Sequence, residues 1–242
     1  MTINTIDASQ RRAARVVGFM YLLLMATGVF AQIYAPGSLP GSEAAAGSVR
    51  DVADHARLLR LGAAVETLTF AGDAVLAVAY YVLLRPVSQG LAMLGAFWRL
   101  AQVAILTAYT LCTVVVVQVA TSRRLDTEQA EALVWLVADA HNVGYAIGFV
   151  FMGLGSAVFA YLLLRSRYVP RWLAGLGVVA STLLAAGGVI TVAFPEATSA
   201  VNPAMFAPMF VFEVTTGLLL LIRGARAPQP AATASLVSSA AA

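Results

Sequence analysis

The stretch Leu58–Leu84 reads LLRLGAAVETLTFAGDAVLAVAYYVLL, and its reading decides the fold. A run this long and this apolar is built to cross a bilayer as a helix. It nevertheless carries two carboxylates, Glu66 and Asp73, seven residues apart. Seven residues make two helical turns, so both side chains leave the helix on the same side. A carboxylate facing lipid costs several kcal/mol even on forgiving insertion scales, which turns this face toward protein. The chain therefore has a polar interior, and other runs have to supply partners for it.

The whole composition agrees. Of 242 residues, 60% are hydrophobic and 11% are charged, and the mean hydropathy is +0.84. Soluble domains carry about 25% charged residues. All fifteen basic residues are arginines, and the net charge of +3 is too small and too scattered for a nucleic-acid surface. The single cysteine, Cys112, rules out an intrachain disulfide. No GxxxxGK[ST] or HExxH motif is present, and His55, His141 and Cys112 are too few and too dispersed for a zinc site. Neither a metal nor another cofactor is expected, and Gly153-Leu154-Gly155-Ser156 reads as a packing patch rather than a nucleophile elbow.

Working outward gives an all-α, polytopic transmembrane bundle of six spans, at about 16–34, 58–84, 91–120, 141–164, 172–194 and 203–222. Residues 1–12 form an N-terminal segment, polar and loose over its first ten residues; 13–224 form the membrane domain, and 225–242 an Ala/Pro/Ser-rich disordered tail. Val29-Phe30-Ala31 weakly resembles a signal cleavage site, but the length of the first run and the arginines before it fit a retained span. Pro36, Gly37, Pro40 and Gly41 break the helix in the first loop, and Ser48 caps a short helix through Asp51 and Asp54. The stretch 126–165 is too long for one crossing. It divides into a short interfacial helix at 128–139, capped by Asp126 or Thr127 with Trp135 at headgroup level, and span four from His141. Gly144, Gly148, Gly153 and Gly155 on span four, and Gly175, Gly177, Gly187 and Gly188 on span five, suit close helix packing. A polar loop follows at 195–202, and span six bends near Pro208.

The third span carries the partners. Arg99, Gln102, Leu106, Tyr109 and Thr113 share one helical face. At 1.5 Å per residue, Asp73, Arg99 and Glu213 of the sixth span all lie roughly 12–16 Å from the same end. Arginine keeps its charge in proteins, so Arg99 needs a carboxylate, and two lie at its level. One guanidinium against two carboxylates leaves an excess negative charge, to be met by a proton or by a cationic ligand. Asp73, Arg99, Gln102 and Glu213 form the candidate binding cluster. Glu66, Asp139, His141, Asn142 and Tyr145 lie nearer the opposite face as candidates for a vestibule. The architectural alternative stays open: buried ion pairs and amides also simply hold spans together. No residue is assigned a catalytic role; an intramembrane enzyme would have only His141, Glu66 and Asp139 for acid–base work.

Several stretches together resemble a known family. They are ARVVGFMYLLLMATGVFAQIY, RLGAAVETLTFAGDAVLAVAYYVLLRPV, AFWRLAQVAILTAY, HNVGYAIGFVFMGLGSAVFAYLLLRSRYVPRWLAGLGV and FVFEVTTGLLLLIRG. In these the chain is similar to the bacterial family catalogued as domain of unknown function 4386. The resemblance implies a multi-span bacterial membrane protein with six or seven spans, and it implies no activity. The alanine-rich first loop departs from that pattern. A small transporter or ligand-binding membrane protein is the favoured function, against a structural or partner-binding component. The expected partners are the lipid bilayer and a small-molecule or ion ligand.

Six spans put both ends on one side. That side holds Arg11, Arg12, Arg15, Arg85, Arg165, Arg167, Arg171, Arg223 and Arg226, against Arg50, Arg57, Arg60, Arg123 and Arg124 opposite. The positive-inside rule then places both termini in the cytoplasm, at a bacterial inner membrane. Reporter fusions after Arg226 and within residues 40–50 are expected to signal from opposite sides. The same side from both would remove a span from the count.

Overall fold

The computed structural model describes residues 6–34, 49–122 and 124–225, with positions 29 and 31–34 described in backbone only. The first-loop prolines and glycines, the Ser48 cap, Arg123 and the tail from 226 lie outside the described residues. Every regular element among the described residues is helical. The helices are α1 (Ala8–Tyr34), α2 (Val49–Asp54), α3 (Ala56–Leu84), α4 (Gln89–Ala120), α5 (Thr127–Ser166), α6 (Arg171–Ala193) and α7 (Thr198–Arg223). A one-turn 3-10 helix, Pro195–Ala197, leads into α7. Among the described residues, α3, α4, α5, α6 and the run Pro195–Arg223 are long and apolar enough to cross a membrane. The 27-residue α1 is the sixth long helix.

The six long helices form a closed ring. Each packs on the next in the order α1, α3, α4, α5, α6, α7, and α7 returns to α1. Aromatic side chains fill much of its interior. Tyr80 stacks on Phe159 with ring centroids 4.6 Å apart, and Tyr21 meets both Tyr80 and Phe212 edge-on. The Tyr80 hydroxyl donates to that of Tyr21 at 3.0 Å. At the end away from the termini, α2 lies over the ring, and its Val52 is buried with Leu59, Val116, Val117 and Val134.

Local chemistry sets the ends of the elements, and here the structure corrects the sequence reading at several points. The chain before the first span is not loose through residue 10. Asp7 and Gln10 form a reciprocal capping box: the Gln10 N–H donates to Asp7 Oδ1 at 2.7 Å, and the Asp7 N–H to Gln10 Oε1 at 3.1 Å. That bond from the Gln10 amide, with one from the Ser9 hydroxyl, holds the Asp7 carboxyl below its ordinary range. Gln10 Nε2 then reaches Leu83 O and the Tyr168 hydroxyl, tying the start of α1 to the end of α3 and the α5–α6 turn.

No separate interfacial helix exists at 128–139. Asp126 caps the helix as expected, accepting from the Gln129 N–H at 2.8 Å, but α5 then runs unbroken for 40 residues. The reason is twofold. Neither proline nor glycine interrupts the chain between Thr127 and Val143. The stripe Ala130, Val134 and Ala138 is also buried, with Val134 in the cluster that holds α2 to α4, so these turns have a packing face inside the protein. At about 60 Å, α5 outruns a hydrocarbon core of about 30 Å, and its first turns project beyond it. The polar loop expected at 195–202 is likewise mostly helical, and α7 runs through both Pro203 and Pro208.

Small residues let the ring close. A Cβ on Gly148 would stand 2.2 Å from Leu106 Cδ2, and one on Gly144 3.1 Å from Tyr109 Cβ, so both face α4. A Cβ on Gly153 would meet α6 backbone instead, 2.5 Å from Ala185 N and 2.6 Å from Ser181 O. Gly175, expected to make a close contact, has nothing within 4 Å of a built Cβ. This contrast is testable by thermal unfolding in detergent. Gly153→Ala is expected to lose about 1–3 kcal/mol, because rigid backbone has to move. Gly175→Ala is expected to be neutral or to gain up to about 1 kcal/mol of helix propensity. Equal effects would contradict the packing described.

Candidate functional site

The polar face read from α4 is the face turned inward: Arg99, Gln102, Leu106, Tyr109 and Thr113 are all buried. Arg99, 2% exposed, points its guanidinium at α3, where Nη2 donates to Asp73 Oδ1 in the one ion pair among the described residues. Gln102, one turn on, donates from Nε2 to Asp73 Oδ2 at 2.8 Å, so both carboxylate oxygens have donors. Arg99 Nη1 donates to Ser156 Oγ on α5 at 3.3 Å. The guanidinium thus joins three consecutive helices of the ring. Its stem lies in space left by a glycine, since a Cβ on Gly155 would come within 2.8 Å of Arg99 Cγ.

Glu213 corrects the expected arrangement. A cluster of Asp73, Arg99, Gln102 and Glu213 requires spans two, three and six to be neighbours, and the first two are: α3 packs on α4. The sixth, α7, packs on α1 and α6 and lies across the interior from them. Glu213 is 2% exposed and feels the charges of both Arg99 and Asp73, yet it makes no ion pair or hydrogen bond with a described residue. Depth along a helix places residues at one level but says nothing of the order of helices around the ring. Two acceptors nearby in sequence or site are also without partners, Gln102 Oε1 and Thr216 Oγ1; the latter lies one turn on from Glu213.

The vestibule candidates separate into two groups. His141 and Tyr145 are half-buried and gather on Tyr109, edge-on with centroids 4.4 Å and 5.2 Å away. Glu66, half-buried on α3, faces the buried Tyr109 hydroxyl. Asp139 and Asn142 are exposed, and the Asn142 side chain reaches the His141 ring from the edge of this group. The sequence reading missed Ser156. It lies about 15 Å from the end of α5, level with Asp73, so the depth argument applied to hydroxyls would have found it. Among the described residues no group of three His, Cys, Asp or Glu side chains is placed to hold a metal ion.

The ion pair can be tested by a double-mutant cycle. Arg99→Ala strands a buried carboxylate and is expected to cost about 3–5 kcal/mol of stability, and Asp73→Asn to leave the guanidinium similarly unpaired. Combining them is expected to recover part of the loss, measured by unfolding in detergent. Strict additivity would mean that the two do not interact.

No solved structure matches the chain. A relative from Archaeoglobus fulgidus, described as an uncharacterized protein, is 29% identical over 113 residues. That match covers 46% of this chain and 54% of the relative, so it spans about half the relative's length. The model of the family described as Domain of unknown function (DUF4386) matches residues 16–224, from the first apolar run to the end of α7, and the chain belongs to that family.

Proposed function

We propose that this membrane protein is a small transporter or ligand-binding protein whose closed interior takes a cation or a proton. The observation that carries the reading is the charge imbalance inside the ring. Asp73 is compensated by Arg99, with Gln102 completing its hydrogen bonds. Glu213 is equally buried but has no donor among the described residues. A buried carboxylate left in this state favours either protonation or a positive ligand. The unpartnered oxygens of Gln102 and Thr216 support the second, since hard cations take oxygen ligands. On this reading Glu213 is the exchangeable group and Arg99–Asp73 the fixed one. Glu66, Tyr109, His141 and Tyr145 would line the approach from the end away from the termini. The setting proposed is a bacterial cytoplasmic membrane with both termini inside.

A purely architectural role is the second reading, and one observation favours it. Arg99 is already satisfied by Asp73 and Ser156 at 2% exposure, so that part of the cluster needs no ligand to be stable. His141, the best acid–base candidate for an enzyme, packs its ring on Tyr109 and Tyr145.

The two leading readings differ in the response to cations. Binding to the folded state alone raises stability by mass action. Purified protein in nanodiscs is expected to show a saturable rise in Tm with sodium, potassium or a small organic ammonium. That rise is expected to be absent in Glu213→Gln and retained in Glu66→Gln. A Tm indifferent to every cation in the wild type, across pH 5–9, would leave only the architectural reading.

A further inference from the structure

A second feature lies on the outside of the ring, apart from the interior cluster. An open groove of about 580 Å³ runs between α1 and α3 at the end that carries the termini. Its walls are apolar, with Val16 from α1 and Val75, Val78 and Val82 from α3, while Ser9 and Arg12 stand at the mouth. Val16, Val75 and Val78 are exposed, so the groove opens to the surroundings and not to the protein interior. From Val82 to Val75 it extends roughly 10 Å along α3, from the helix end into the hydrocarbon depth.

The charge at the mouth is mostly positive, with Arg12, Arg15 and Arg85 against the single carboxylate of Asp7. Arg12 makes no hydrogen bond or ion pair with any described residue, whereas the neighbouring Arg11 is committed to Ile6 O at 3.0 Å. Arg15 is exposed one turn further on. Arg85 closes α3 at the same end, and Asp7, the acid there, is engaged by the Gln10 amide and the Ser9 hydroxyl. An apolar cleft at hydrocarbon depth is filled by an acyl chain, because water there would meet no polar partner. A free guanidinium at headgroup level selects a negatively charged headgroup, as a planar donor for phosphate oxygens.

We propose that the α1–α3 groove is a binding site for an anionic phospholipid, with one acyl chain along Val75, Val78 and Val82 and the phosphate on Arg12. The site fixes α1 to α3 from outside, at the end where Gln10 joins them from inside. A lipid bound there therefore bears on the closure of the ring at α1.

Native mass spectrometry of the full chain tests this, after release from nanodiscs holding equal amounts of phosphatidylglycerol and phosphatidylcholine. The wild type is expected to keep one phosphatidylglycerol in preference to phosphatidylcholine. Arg12→Gln, at an exposed and unpartnered position, is expected to weaken that retention about fivefold, as loss of one basic contact to an anionic lipid implies. Arg12→Lys is expected to retain most of it, and Arg57→Gln at the opposite end all of it. Val78→Phe, which fills an exposed part of the groove, is expected to remove retention of both lipids. Should that variant fail to fold, the Arg12 pair decides the matter alone. Equal retention of the two lipids by the wild type, or unchanged preference in Arg12→Gln, would overturn the proposal. So would a lipid-free dimer, which would make the groove an interface between copies of the chain.

Discussion

A guanidinium buried midway along helices apolar enough to cross a membrane is the constraint on which the rest of this structure depends. Arg99 cannot shed its charge, and an unpaired charge there costs several kcal/mol. Its solution needs three helices at once: Asp73 from α3, the arginine and Gln102 from α4, and Ser156 from α5. Each of those contacts fixes a relative height and a relative rotation of two helices. Hydrophobic packing alone fixes neither well in a bilayer, where lipid is as apolar as leucine. The glycine at 155 belongs to the same solution, because it leaves space for the arginine stem.

The ring closes on the other side by different means. Between α5, α6, α7 and α1 the contacts are close and mostly apolar, with Ser181 Oγ on Met209 Sδ and Gln10 on the Tyr168 hydroxyl as the polar exceptions. Gly153 meets α6 backbone, Gly177 lies under Phe212, and Gly18 lies against the backbone of α7 at Gly217 and Leu221. One half of the ring is thus keyed by charge and the other by shape. Glu213 stands on the shape-packed half and looks across at the charge-keyed half. That division explains how a buried carboxylate can sit near a guanidinium without pairing with it: the arginine is already committed to α3.

Much of this was legible in the sequence, and the part that was not has a physical reason. Apolar length marks the spans, and the 3.6-residue period picks out the face of α4 that is buried. The obligate charge of Arg99 demands a carboxylate, and Asp73 at the same depth supplies it. Helix order around the ring was not legible, because depth is a coordinate along the membrane normal and Glu213 shares it from the far side. The continuity of α5 was also missed. A bilayer-length argument divides 126–165, but Ala130, Val134 and Ala138 find a protein surface to pack on outside the hydrocarbon region. The Asp7–Gln10 capping box is present as the letters DASQ, a signal outweighed in the sequence by the arginines that follow.

The central claim is that the interior holds one compensated carboxylate and one uncompensated carboxylate facing each other across a closed ring. An experimental map of the protein in nanodiscs, resolved well enough to show ordered water and ions, tests it most directly. The account predicts Arg99 on Asp73, flanked by Gln102 and Ser156, with separate water or ion density against Glu213. Arg99 turned to Glu213 or to lipid would contradict it. So would a Glu213 carboxylate sealed among apolar side chains with no density beside it.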